Sequence, residues 1–136
     1  MTKAAGRMKL AAKISHLLWA GLWSSFLIWF SIVHGNAGYS HKEAPYLLAI
    51  PVFSLTWLTF AVLLLFDRGW AFYGSFLLAV LSLFVAYYVA WTAVAIALHE
   101  HSSCVLEIIG AVAATLVVWL LLQSRHDFLP RHDSAA

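Results

Sequence analysis

Side chains able to bind a metal ion are concentrated at two places in this sequence, each at the junction between two long apolar runs. Imidazole, carboxylate and thiolate groups are the usual protein ligands of zinc, copper and iron. If the two places are neighbours in space, three or four such groups can meet. The predicted ligands of a divalent metal are His34, His41, His99, His101 and Glu107. No HxxxH, HExxH or CxxC spacing defines a ligand pair, so solvated polar loops remain the alternative interpretation.

Glu107 is the one acidic residue inside a predicted membrane span. Ionisable groups at membrane depth are costly and often functional, so one hypothesis makes Glu107 the coupling group of a small ion or metal carrier. The alternative is structural, because a carboxylate in the first turn of a helix complements the positive end of the helix dipole. The sequence leaves both interpretations open.

Two pairs of histidines stand at similar predicted depths, as a haem b held by two imidazoles requires. His34 with His99 forms one pair and His16 with His126 forms the other. Histidines that simply lie at a membrane interface are the alternative. A haem or metal redox protein is therefore a further hypothesis. The single cysteine, Cys104, excludes an internal disulfide and a CxxC redox pair.

The elements that must position these groups are four long apolar runs. Hydrophobic residues make up 63% of the 136 residues and charged residues 10%, with a mean hydropathy of +0.86, whereas soluble domains are roughly 45–50% apolar and about 25% charged. About 20 apolar residues cross a bilayer as a helix. The sequence therefore predicts an all-α integral membrane protein. Its four transmembrane helices cover residues 14–33, 46–66, 70–98 and 104–122, between a basic segment, 1–13, and a polar tail, 123–136.

Basic residues are distributed unevenly between the segments that join these runs. Of the eight Lys and Arg residues, only Lys42 lies outside the amino-terminal segment, the turn at Asp67-Arg68 and the tail. Alternating crossings place those three segments on one side, which the positive-inside rule makes cytoplasmic. We therefore expect an antiparallel bundle in the inner membrane, with both termini cytoplasmic and the histidine-containing loops outside.

Small residues at helical spacing predict where the helices approach each other, because membrane helices associate through close packing. The third run carries a heptad stripe of alanine and serine along most of its length. Shorter sets occur in the first and fourth runs. The predicted helix-packing residues are Gly21, Ser25, Ala79, Ser82, Ala86, Ala90, Ala93, Gly110 and Ala114.

The sequence contains no visible nucleophile–base pair, phosphate-binding loop or carboxylate dyad. Catalysis is therefore not the favoured function, and the small net charge of +2 belongs to the segments that flank the spans and does not indicate nucleic-acid binding. The favoured prediction is a non-catalytic accessory, assembly or oligomerising subunit. Its predicted partners are the lipid bilayer and either copies of itself or other membrane subunits. One alternative is a small ion or metal carrier or channel that uses the outer His/Glu cluster and Glu107. The second alternative is a haem b or metal redox protein.

Overall fold

A computed structural model describes residues 3–35, 44–100 and 102–129 of the chain. The described residues form four helices: α1 (Lys3–Gly35), α2 (Ala44–Leu65), α3 (Gly69–Glu100) and α4 (Val105–Phe128). All four are long and apolar enough to cross a membrane. The predicted all-α membrane protein with four spanning helices is therefore confirmed at this level.

Two helices extend well beyond the predicted spans. Helix α1 begins at Lys3 rather than at residue 14, so most of the basic segment is helical. This segment consists mainly of Ala, Lys, Arg, Met and Leu, which are the strongest helix formers. Helix α4 continues past residue 122 to Phe128, and Arg125 and His126 in its last turn complement the negative end of the helix dipole.

The turn between α2 and α3 is a helix-ending motif built around Asp67. The amide of Arg68 donates to the carbonyl oxygen of Leu63 (3.3 Å), and the amide of Asp67 donates to that of Leu64 (3.1 Å). These two bonds define a Schellman motif, which needs a left-handed residue at its centre. Asp67 fills that position with a φ of 58°. Aspartate tolerates this conformation better than most residues, so a glycine is not required.

The helices form a bundle in which α1 and α3 each pack against α2 and α4. Polar contacts tie neighbours together: the Ser24 hydroxyl donates to the Ser54 carbonyl oxygen (3.3 Å), and the Ser75 hydroxyl donates to that of Phe60 (3.3 Å). Side chains with almost no exposure include Trp57, Leu64 and Leu121. Because the described buried residues of α1 end at Ser24 and those of α2 begin at Ser54, the dense core lies toward the α2–α3 turn.

The structure shows where each predicted packing residue lies. Along the α3 stripe and in α4, the buried ones are Ala79, Ser82, Ala86, Ala90 and Ala114, while Ala93 is half-buried. Ser25 is exposed, and its neighbour Ser24 makes the contact with α2. Gly21 and Gly110 have nothing within 4 Å of the position that a Cβ atom would occupy. Close packing in α1 therefore uses the face of Ala20 and Ser24.

Candidate functional site

The predicted metal ligands are only partly covered by the described residues. His41 and His101 lie outside them, and so does the side chain of His34. His99 is exposed near the end of α3, and Glu107 is half-buried in the first turn of α4. Within residues 3–35, 44–100 and 102–129, no three His, Cys, Asp or Glu side chains come together in a group that could hold a metal ion. The metal site therefore stays a prediction.

His16 and His126, one of the predicted haem pairs, have opposite environments. His16 is 0% exposed, and neither of its ring nitrogens has a hydrogen-bond partner. His126 is exposed, and its Nε2 accepts a hydrogen bond from Nε of Arg125 (3.2 Å). The two imidazoles do not hydrogen-bond to each other. His16 is instead part of the interior of the bundle, one helical turn from Lys13.

One end of the bundle carries a charged cluster, which we call the basic end: Lys9 and Lys13 of α1, Asp67 of the α2–α3 turn, and Phe128 of α4. Both lysines form an ion pair with the same oxygen, Oδ1 of Asp67. The distance from this oxygen to Nζ is 2.5 Å for Lys9 and 2.8 Å for Lys13. Nζ of Lys13 also donates to the Leu65 carbonyl oxygen (3.2 Å), which the end of α2 leaves without a helical partner. The cluster thus joins α1 to the end of α2.

The same lysines face the ring of Phe128, at 5.0 Å from its centroid for Nζ of Lys9 and 6.0 Å for Nζ of Lys13. Ammonium groups within about 6 Å of a ring face attract it electrostatically. Phe128 also stacks on Phe72 of α3, with ring centroids 5.5 Å apart. The start of α1, the α2–α3 turn and the end of α4 therefore meet at the basic end.

Asp67 is held in its charged form at this end. Burial by itself raises the pKa of Asp67, but hydrogen bonds from Lys13 and Lys9, together with their charges, outweigh it, and the pKa falls below its ordinary value. About half of the side chain remains exposed (52%). The ion pairs are therefore screened by solvent and contribute modestly to stability.

Farther from the basic end, a cavity of about 310 Å³ opens between α1, α2 and α3. Its wall is almost wholly apolar and includes three aromatic rings: Trp23 and Trp57 stack with centroids 6.5 Å apart, and Phe53 meets Trp57 edge-on at 5.9 Å. No pattern in the sequence predicts this cavity. The complete lining is Trp23, Leu27, Ala49, Ile50, Phe53, Trp57, Leu81, Ser82 and Val85.

Three polar side-chain groups belong to the residues of this cavity, namely the Ser82 hydroxyl and the indole N–H groups of Trp23 and Trp57. Ser82 is satisfied, because its hydroxyl donates to the Ala79 carbonyl oxygen (2.7 Å) and accepts a bond from Nε1 of Trp19 (2.8 Å). Trp57 is 2% exposed, and its indole N–H has no acceptor among the described residues. A buried donor left without an acceptor costs about 1–3 kcal/mol. This donor has almost no accessible surface, so it lies within the packed side chains and is not exposed to the cavity.

A separate groove, also of about 310 Å³, runs along the outward side of α2 and ends against Trp70 of α3. Two threonines, Thr56 and Thr59, line it and are exposed. Each hydroxyl donates to the carbonyl oxygen four residues earlier, at 2.8 Å. Both hydroxyl oxygens keep lone pairs that can accept a further bond. We call this surface the α2 groove.

Comparisons with known proteins offer no relative: no known family, curated protein or solved structure matches the chain.

Proposed function

We propose that this chain is a non-catalytic accessory, assembly or oligomerising subunit of a complex in the inner membrane. It crosses the bilayer four times as an antiparallel bundle, with both termini on the cytoplasmic side. Its contribution is the surface that it offers to other membrane helices.

The orientation is supported by the composition of the basic end. Lys9 and Lys13 meet Asp67 there, and the neighbouring Arg68 is exposed. Lys and Arg near the ends of spans are retained on the cytoplasmic side. The cluster contains two cations and one carboxylate, so its net charge stays positive. The antiparallel arrangement is supported by the contacts that join the start of α1 to the end of α2 and to the end of α4.

The α2 groove is the observation that carries the proposal. Thr56 and Thr59 are exposed on α2 and lie 11 and 8 residues from Asp67, or about 16 and 12 Å along the helix axis. This places both hydroxyls near the middle of a hydrocarbon layer of about 30 Å. Hydroxyl groups at that depth act as polar contacts between helices. A spanning helix from a second copy or another subunit fits such a groove.

The proposal is tested by photo-crosslinking in native membranes. A photoreactive amino acid replaces Thr59 in one variant, and Val112 in a matched control. Val112 is exposed on α4 at a similar distance from the polar ends of its helix, but it lies outside the groove.

We expect a discrete higher-mass product from the Thr59 position and only lipid adducts from the Val112 position. Mass spectrometry of the product then identifies either a second copy or another subunit. Lipid adducts alone at both positions would contradict the proposal.

A further inference from the structure

We propose that the basic end, together with the adjoining Arg68, binds the headgroup of an anionic phospholipid, whose phosphate charge no cation within the headgroup cancels. This inference rests on the charges at one end of the bundle and is independent of the proposed subunit function.

The site carries more positive charge than its own carboxylate neutralises. Both lysines of the basic end pair with a single oxygen, Oδ1 of Asp67. Arg68 is the next residue along the chain, and its exposed side chain has no ion pair among the described residues. The other described acidic side chain at this end is Asp127, and Arg125 in the same last turn of α4 balances its charge. The basic end and Arg68 therefore keep a surplus of positive charge that an anion can neutralise.

Contacts within the bundle position the two lysines for such an anion. Their side chains are only 17% and 11% exposed, whereas the carboxylate between them is 52% exposed and opens the cluster to its surroundings. Nζ of Lys13 also donates to the Leu65 carbonyl oxygen, and Nζ of Lys9 faces the ring of Phe128. Each ammonium group has three donors, so these contacts leave donors unused on both lysines. A group that is ordered before binding loses less entropy when the ligand arrives.

The residues around the turn place the site at the depth of lipid headgroups. The turn joins α2 to α3, which are both long and apolar enough to cross a membrane, so it lies at one surface of the bilayer. The aromatic side chains of Phe66, Trp70 and Tyr73 next to it are 72%, 60% and 64% exposed. Exposed aromatic residues, Trp and Tyr above all, collect at the membrane–water interface. A phospholipid phosphate lies at the same level.

A lipid suits this place better than a soluble anion. Its headgroup is concentrated in the plane of the site, and its acyl chains can lie against exposed apolar side chains such as Phe66. Basic clusters next to a membrane attract anionic lipids by roughly fivefold in affinity for each Lys or Arg. Free phosphate has the same charge but gains neither the concentration nor the apolar contact.

Asp67 gives the proposal a distinctive consequence. The carboxylate stabilises the cluster, yet it also competes with the lipid phosphate for the lysines. Asp67→Asn keeps a side chain that tolerates positive φ and removes the competing charge. The variant should therefore be less stable and bind anionic lipid more tightly. A cluster with a structural role alone does not predict these opposite changes.

The test uses the full chain in a mild nonionic detergent, titrated with dioleoylphosphatidylglycerol and followed by native mass spectrometry. Lys9→Gln and Arg68→Gln each remove one positive charge from the site. The matched control is Arg7→Gln, because Arg7 is exposed on the same helix, two residues before Lys9, and so points to nearly the opposite side. Dioleoylphosphatidylcholine tests the acyl chains without net charge, and inorganic phosphate tests the free anion. Circular dichroism verifies the fold of each variant.

We expect phosphatidylglycerol to bind about fivefold more weakly to Lys9→Gln and to Arg68→Gln, and equally well to Arg7→Gln. Asp67→Asn should bind it about fivefold more tightly, and added salt should weaken binding to every variant.

Four results would each overturn the proposal. They are equal binding of phosphatidylcholine, an equal loss of affinity in Arg7→Gln and Lys9→Gln, weaker binding to Asp67→Asn, and displacement of the lipid by an equal concentration of inorganic phosphate. The last of these would indicate a site for a free anion.

Discussion

Nζ of Lys13 lies 2.8 Å from Oδ1 of Asp67 and so connects the first helix to the turn between the second and third. Oδ1 of Asp67 also forms an ion pair with Nζ of Lys9. The backbone of Asp67 occupies the left-handed position of a Schellman motif. One residue therefore supports both the turn and the contact with α1. Substitutions can separate these two roles.

Asp67→Asn should lower the free energy of unfolding by about 0.5–1 kcal/mol, because it removes the ion pairs but keeps a side chain that tolerates positive φ. Asp67→Ala should cost more, since it removes both. Denaturant titration in detergent micelles measures these changes. Asp127→Asn is the control: Asp127 has no ion pair among the described residues, and its loss should leave stability unchanged or slightly higher.

The contribution of Asp67 should depend on pH in a defined direction. Its pKa is lowered in the folded chain, so its stabilisation is fully present above the unfolded pKa of about 3.9. It is lost as the pH falls through the lower folded pKa. The stability difference between wild type and Asp67→Asn should therefore shrink below about pH 4. A difference that grows on acidification would contradict this assignment.

Ser82→Ala should destabilise the bundle by about 1 kcal/mol, because it leaves the buried indole N–H of Trp19 without its acceptor. The double variant Trp19→Phe with Ser82→Ala removes both partners. In a double-mutant cycle of unfolding free energies, we expect a coupling energy of about 0.5–1.5 kcal/mol. Additive effects would show that the 2.8 Å hydrogen bond contributes nothing.

Gly74→Ala and Gly21→Ala should change stability in opposite directions. A Cβ atom on Gly74 would collide with the ring of Phe60, which also packs edge-on against Trp70. We expect a loss of about 1–3 kcal/mol from this overpacking. Gly21 has open space around it, so alanine should gain about 0.5–1 kcal/mol from helix propensity. Thermal unfolding of the two variants makes the comparison, and equal shifts would contradict the packing of α2 on α3.

Cys104 offers a direct test of membrane orientation because it is the single cysteine of the chain. It is partly exposed at the start of α4, opposite the basic end. A membrane-impermeant maleimide should label it in intact cells or spheroplasts. The matched variant, Cys104→Ala with Arg125→Cys, should be labelled only after permeabilisation. The reverse pattern would place the basic end outside.

The fold was largely predictable from the sequence because its signal is repeated many times. Four apolar runs of spanning length define the helices, and the small-residue stripe of α3 contains Ser82 and Ala86, which are buried. The helix ends were less predictable, since the segment from Lys3 to Lys13 is strongly basic yet helical. Hydropathy identifies hydrocarbon-spanning residues and says little about how far a helix continues beyond them.

The sequence could not predict the cavity or the α2 groove, and the reason differs from that for the helix ends. Both depend on how side chains of the folded helices pack, and Trp57 resembles any other apolar residue of its span. The missing partner of its indole becomes visible only when its surroundings are known. His16 is a similar case: the sequence places it near a boundary, while the structure buries it completely.

Blue-native electrophoresis of native membranes, solubilised in a mild detergent with a tagged copy of this chain, tests the central claim most directly. We predict migration at a mass well above that of one 15.1 kDa chain with its detergent, reduced toward the monomer when Thr56 and Thr59 are both replaced by leucine. Migration only as a monomer, in wild type and variant alike, would contradict the account.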